Sequence, residues 1–203
     1  MYFVRTPRMI QRLLPGYLWR MPVKEKVVYL TFDDGPIPEV TPWLLDVLRV
    51  FDARATFFCV GENVQRYPYI FKRMLEEGHS VGNHTHQHLN GWKTETPVYL
   101  QNVATCAAFV SGNLFRPPYG RLTSKQAAAL RKQQYRLVMW DVLSGDFDRT
   151  LAPEKCWENI RRNVRPGSIV VLHDSLKAEP NVRYALPKLL EYFSEKGWRF
   201  EAI

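Results

Sequence analysis

Val27-Val28-Tyr29-Leu30-Thr31-Phe32-Asp33-Asp34-Gly35-Pro36 opens with β-branched and aromatic residues and ends in two carboxylates and a turn. An apolar run of that length, closed by Gly-Pro, reads as a strand buried on both faces. Strands buried in this way belong to parallel sheets covered by helices. The next segment agrees. Thr41 is placed to cap a helix with Pro42 in its first turn. Leu44, Leu45, Val47, Leu48 and Phe51 form the apolar stripe of that helix. The alternation continues outward to the C-terminus. Strands are predicted at 27–32, 55–60, 80–82, 114–115, 136–142, 168–172 and 198–203. Helices are predicted at 63–77, 97–110 and 181–195, with two more opened by a Thr123–Gln126 capping box and by Pro153. The fold class is therefore α/β, a mainly parallel sheet of about seven strands with helices outside. The pattern alone leaves barrel and open sheet both open.

A length of 203 residues, with 46% apolar and 24% charged residues, fits one ordinary globular domain. It excludes wholesale disorder, collagen-like repeats and a disulfide miniprotein. No run approaches the roughly 18 apolar residues that an integral membrane segment needs. The 28 basic and 20 acidic residues give +8. This charge would attract an anionic partner but reads first as a solvated surface. The basic residues are scattered and form no nucleic-acid motif. Cys59, Cys106 and Cys156 are odd in number and lack CxxC spacing, which predicts a reducing compartment, with Cys59 in the core.

Residues 1–24 are read as an extension packing on a domain of residues 25–203. Arg5, Arg8, Arg12 and Arg20, with Pro7 and Pro15, interrupt any secretory apolar core. The expectation is a cytoplasmic protein whose extension carries a short docked helix. A basic amphipathic anchor at 10–19 and export by a route not visible here are the competing readings. The oligomeric state is not legible.

The polar residues that break the apolar pattern all follow predicted strands. Asp33 and Asp34 follow the first, His84, His86 and His88 the third, Arg116 the fourth, Asp146 the fifth, and His173 and Asp174 the sixth. The C-terminal edge of a parallel sheet is where sites are built. Two adjacent carboxylates repel, so the pair is read as one metal ligand and one general base. Imidazoles beside a carboxylate suit a divalent ion with an open position for water. His84 and His88 with one aspartate supply three ligands, and His86 competes. In Arg116-Pro117-Pro118-Tyr119-Gly120 the prolines stiffen a loop that presents the Tyr119 N–H to an oxyanion. Arg116 can grip a carboxylate. His173 leaves a buried strand and is a proton-donor candidate.

In this order the motifs resemble the polysaccharide deacetylase family, the carbohydrate esterases of family 4 that share the chitooligosaccharide-deacetylase (NodB) homology domain. Thr31-Phe32-Asp33-Asp34-Gly35-Pro36 matches the first motif, His84-Thr85-His86-Gln87-His88 the second, Arg116-Pro117-Pro118-Tyr119 the third and Leu172-His173-Asp174 the fifth. The resemblance implies a distorted parallel (β/α) barrel with a divalent metal, most often Zn, with Co, Ni or Mn as substitutes. It implies Asp34, His84 and His88 as metal ligands, Asp33 as general base, His173 as general acid and the Tyr119 N–H as oxyanion donor. Arg116 would orient Asp33, and Leu172 would line the acetyl-methyl pocket. The fourth motif departs from the family pattern. Asp146 would support His173, while Phe147 stands where the family has Trp, which keeps an apolar wall and loses an N–H donor.

The reaction expected is metal-assisted hydrolysis of an N-acetylated saccharide, with O-acetyl esters as a variant. The alternatives are an amidohydrolase acting on a non-sugar amide and an inactive carbohydrate-binding module. Trp92, Trp140 and Trp157 are candidates for stacking on a sugar face.

Overall fold

A computed structural model describes residues 2–203. The chain opens with a short helix, α1 (Arg8–Leu13), and a two-residue strand, β1 (Tyr17–Leu18). It then alternates through β2 (Val27–Asp33), α2 (Thr41–Val50), β3 (Ala55–Cys59), α3 (Gly61–Arg66), α4 (Pro68–Glu76), β4 (Ser80–Asn83), α5 (Thr96–Ala107) and β5 (Leu114–Phe115). The second half adds α6 (Ser124–Lys132), β6 (Arg136–Val138), β7 (Val142–Leu143), α7 (Pro153–Asn163), β8 (Ile169–His173), α8 (Glu179–Glu195) and β9 (Arg199–Phe200).

Among the described residues, nine strands make one sheet in the order β1-β6-β5-β4-β3-β2-β8-β7, with β9 added alongside β2. Every strand pairing is parallel. The segment before β2 reaches both edges of the sheet. β1 pairs with β6, while Arg5 and Arg20 make antiparallel bridges to Val142 and Ser168. The sheet is thus the distorted parallel barrel of an α/β domain.

Two apolar layers follow from strand alternation. Val28, Leu30 and Phe32 of β2 pack outward against Leu44, Leu45, Leu48, Leu186 and Leu189 of the helices. Val27, Tyr29, Phe58, Leu114, Val138 and Ile169 fill the interior. The same alternation turns Asp33 inward at the end of β2.

Five expectations are corrected. The described residues form nine strands, not about seven. The run 136–142 is broken at Met139-Trp140-Asp141, because the Asp141 carboxylate accepts Ile169 N–H and Ser168 O–H and draws the chain over to β8. β1 arises where only helix or extension was expected, since two residues suffice to cover the free edge of β6. The helix expected at 63–77 is two helices, because Pro68 cannot supply an N–H to continue the first. Thr41 is not a cap. It lies inside α2, and its hydroxyl donates to Asp174 Oδ2 (2.7 Å) and accepts from Ile37 N–H (2.8 Å). The Thr123–Gln126 capping box is present. α1 exists but buries none of its side chains.

Candidate active site

Asp33 ends β2 and His173 ends β8, and the two are direct register partners on neighbouring parallel strands. Both therefore face the barrel interior at its C-terminal mouth. Asn83 ends β4, so the chain that follows carries His84 to the same edge. Arg116 follows β5 directly and turns its side chain inward.

Arg116 is fully buried. A guanidinium out of water must be paired and hydrogen-bonded. Its Nη1 donates to Asp33 Oδ1 and to Thr31 Oγ1, each at 2.7 Å. Its other nitrogens donate to the carbonyls of Val138 (3.3 Å) and Met139 (2.9 Å). The Phe58 ring lies 4.1 Å below the guanidinium. One oxygen of Asp33 is thus fixed from three strands' worth of scaffold.

Asp34, His84 and His88 present ligand-type atoms that all lie within 4.8 Å of one another. His88 Nε2 is 3.1 Å and His84 Nε2 3.8 Å from Asp34 Oδ1. His84 Nδ1 is 2.7 Å from the Arg116 carbonyl, which can only accept, so Nδ1 carries the proton. Burial pushes the His84 imidazole down to about 4, so the ring is neutral with its Nε2 lone pair turned to the cluster. His88 Nδ1 lies 3.1 Å from Tyr119 Oη. Burial alone would raise the Asp34 pKa, but the hydrogen bond with His88 and the charges of His173 and His84 hold it well below the usual carboxylate range. A carboxylate and two imidazoles fixed through their far nitrogens fit a divalent ion. His86 is turned away. Its ring stacks on Phe109 with centroids 5.6 Å apart.

His173 Nδ1–H donates to Asp146 Oδ1 (2.8 Å), and its backbone N–H donates to Oδ2 (2.6 Å). Burial by itself would lower the imidazole pKa. The Asp146 charge and hydrogen bond, with the carboxylates of Asp34 and Asp33, outweigh it and push His173 up to about 10. Phe147 stands against the His173 ring at 5.3 Å.

Loop conformations support this placement. Six described non-glycine residues have left-handed backbone, and four are in the site: Asp34, Thr85, His88 and Tyr119. Such strain persists where surroundings over-determine the chain. Asn63 Nδ2 holds the Asp34 carbonyl (2.8 Å). Asn102 Oδ1 accepts from the N–H groups of His86 and Gln87, and Asn83 Oδ1 from Thr85 N–H. Asp174 Oδ1 accepts from Gly35 N–H at 2.9 Å, and any side chain at Gly35 would overlap that carboxylate.

Leu172 is a correction. It lies in the outer layer with Phe32 and Leu30, against the helices. Strand alternation puts Val171, two residues before His173, on the interior face instead. Trp140 is half-buried, with its ring 5.8 Å from the Arg116 guanidinium and beside the Gly120 turn. Trp92 is exposed, under the Arg121 guanidinium. Trp157 packs on Tyr192 in the helical layer, away from the site.

Residues 20–138 match the model of the family described as polysaccharide deacetylase. The chain belongs to the polysaccharide deacetylase family. It is 34% identical to a peptidoglycan-N-acetylglucosamine deacetylase of Bacillus cereus over 195 residues, which is 93% of this chain and 92% of that one. It is 35% identical to a chitooligosaccharide deacetylase of Azorhizobium caulinodans over 168 residues, 78% of this chain and 79% of the relative. The crystal structure of the Bc1960 peptidoglycan N-acetylglucosamine deacetylase superimposes with a TM-score of 0.86 at 30% identity, covering 98% of this chain and 95% of that one. The family's activity, removal of acetyl groups from a saccharide, is the activity of this enzyme. The family is metal-dependent, and the Asp34–His84–His88 cluster is its possible metal site here.

Proposed function

We propose that the enzyme hydrolyses N-acetyl groups of saccharides built from N-acetylglucosamine, with Asp33 as general base and His173 as general acid. The observation that carries this reading is the register pairing of the two residues, each fixed by its own charged partner, beside the three-ligand cluster. The relatives named above share N-acetylglucosamine as the acetylated unit.

Asp34, His84 and His88 would hold one divalent ion. Zinc suits two imidazoles and a carboxylate best, and cobalt, nickel or manganese can bind the same donors. When bound, such an ion lowers the pKa of water and draws charge from a carbonyl oxygen. Arg116 occupies Asp33 Oδ1 and leaves the other oxygen to take the proton of the attacking water. The turn at Pro118–Gly120 bonds Gly120 and Arg121 N–H back to Pro117 and Pro118. That leaves the Tyr119 N–H as the donor to a developing oxyanion. Asp146 holds Nδ1 of His173, so Nε2 carries the proton to the departing amine. An amine leaves poorly unprotonated, which is why an acid is needed as well as a base. Val171, Phe147 and Trp140 supply the apolar walls.

Acetate release from N-acetylglucosamine oligomers and from simple acetamides, with metal content measured, tests the reading. Release from the oligomers in preference is expected. Turnover of acetamides with none of the oligomers would move the enzyme to the non-sugar amidohydrolases.

A further inference from the structure

We propose that Tyr2 is a positioning residue for His173, acting through Phe147 and the loop that carries Asp146. The inference rests on the deacetylase reading for its kinetic readout and has a second readout that does not.

The residues before α1 run antiparallel beside β7. Leu143 N–H donates to the Val4 carbonyl (2.8 Å), Arg5 bridges Val142, and Thr6 N–H donates to the Asp141 carbonyl (3.0 Å). Thr6 Oγ1 also donates to the Trp140 carbonyl (2.8 Å). This ladder delivers Tyr2 to the end of β7, where the loop of residues 144–148 begins. There the Tyr2 ring packs on Phe147 with centroids 5.2 Å apart, and its hydroxyl donates to Asp148 Oδ2 at 3.2 Å. Burial and the Asp148 carboxylate push the Tyr2 phenol up to about 12, so it remains a donor. Phe147 in turn meets the His173 ring at 5.3 Å, and the Lys177 ammonium lies 5.7 Å from the Phe147 centroid. Gly145 has φ 82°, and a Cβ there would sit 2.8 Å from Tyr2 Oη.

Phe147 is therefore held between Tyr2 and His173, and the loop is tied at Asp148 as well as at Asp146. The orientation of His173 depends on two neighbours of this one loop, Asp146 and Phe147. Asn181 Nδ2, which donates to the Asp146 carbonyl at 2.9 Å, is the loop's tie on the other side. The Tyr2 ring packs on Phe147, and Phe147 packs on the His173 ring, so the three rings are in series. A segment remote in sequence thus completes the support of the proposed acid.

The test uses the metal-loaded full chain and the variants Tyr2→Ala, Tyr2→Phe and Tyr2→Ala with Phe147→Trp. Acetate release from N-acetylglucosamine oligomers gives kcat and KM. Proton NMR follows the downfield resonance of the His173 Nδ1–H bonded to Asp146. Displacement of a catalytic group by about 1 Å can cost on the order of 10²-fold. Tyr2→Ala should lower kcat roughly 10- to 100-fold with KM little changed, and should broaden the Nδ1–H resonance. Tyr2→Phe, which keeps the ring and loses only the Asp148 bond, should show a smaller drop in kcat, and it decides the matter if Tyr2→Ala does not fold. Phe147→Trp should restore part of what Tyr2→Ala loses. Wild-type kcat and an unchanged resonance in the folded Tyr2 variants would overturn the proposal. A wild-type enzyme that releases no acetate would overturn the deacetylase reading, and the resonance would still decide the role of Tyr2.

Discussion

Asp33 and His173 sit opposite one another in register on β2 and β8, and each is gripped by a buried partner, Arg116 at 2.7 Å and Asp146 at 2.8 Å. Parallel pairing puts both side chains on one face of the sheet, so acid and base are placed by main-chain hydrogen bonds rather than by flexible loops. The Asp33 partner is a cation and the His173 partner an anion. That opposite choice is what separates the two roles.

Asp33→Asn should therefore retain metal and lose turnover. The proton transfer it removes is worth about 10²–10⁴-fold. The amide oxygen of Asn can still accept from Arg116, so the guanidinium is not orphaned. Metal content by elemental analysis, alongside kcat, checks the division of labour. Loss of metal in this variant would place Asp33 among the ligands.

His86→Ala and His84→Ala should part company. His86 stacks on Phe109 and points away from the cluster, so its removal should leave metal content near that of the wild type. His84→Ala should empty the site and abolish acetate release. Chelation of the wild type should do the same, with activity restored by added zinc. Metal retained without His84 but lost without His86 would reverse the ligand assignment.

Acid stability should depend on His79, which lies at the opposite end of the sheet from the site. Its Nδ1 accepts from Ala55 N–H at 3.2 Å, and its Nε2 is buried without a partner. Burial, helped by the charges of Arg54 and Arg73, pushes its pKa down from 6.5 to about 4. Below pH 6.5 the unfolded chain binds a proton that the folded chain refuses, so stability falls as pH falls from 6.5 towards 4. His79→Asn keeps an acceptor for Ala55 N–H and does not titrate. Its Tm should fall less steeply than that of the wild type over this window. At this chain length about 1 kcal/mol corresponds to roughly 2–4 °C in Tm. Parallel Tm curves for the two proteins would remove His79 from the account.

At the alkaline end the sign reverses. The His173 pKa is raised from 6.5 to about 10, so its pairing with Asp146 stabilises the fold fully below pH 6.5, and that contribution is lost as pH rises through 10. Activity should fall over the same alkaline range as the acid deprotonates, the limb belonging to the coupled site rather than to one residue. Asp146→Asn should move that limb to lower pH in a profile of kcat/KM against pH.

Much of this was legible in the sequence because the two central barrel strands are almost wholly apolar and end in ionisable residues. Val27 to Asp33 and Ile169 to His173 are both of this kind. The placement of Asp33, Asp34, His84, Arg116 and His173 at one edge follows from those stops. Three things did not show. The face of Leu172 was misread because a fully buried strand has no polar–apolar alternation to mark its two sides. The break between β6 and β7 depends on the Asp141 carboxylate reaching Ser168, a contact 27 residues away. The contact of Tyr2 with Phe147 spans 145 positions and leaves no local pattern. Long-range polar and aromatic contacts of this sort are set by the finished fold.

The central claim is that His173 delivers a proton to the leaving amine. The direct measurement is kcat/KM of His173→Ala and of wild type on two substrates, an N-acetylated glucosamine oligomer and an activated acetate ester. An amine must be protonated to depart, whereas an activated phenolate leaves unaided. The account predicts a loss of about 10²–10⁴-fold on the amide and a much smaller one on the ester, with Asp146→Ala showing a weaker form of the same selectivity. Equal losses on the two substrates would contradict it and leave the amine to be protonated by another group.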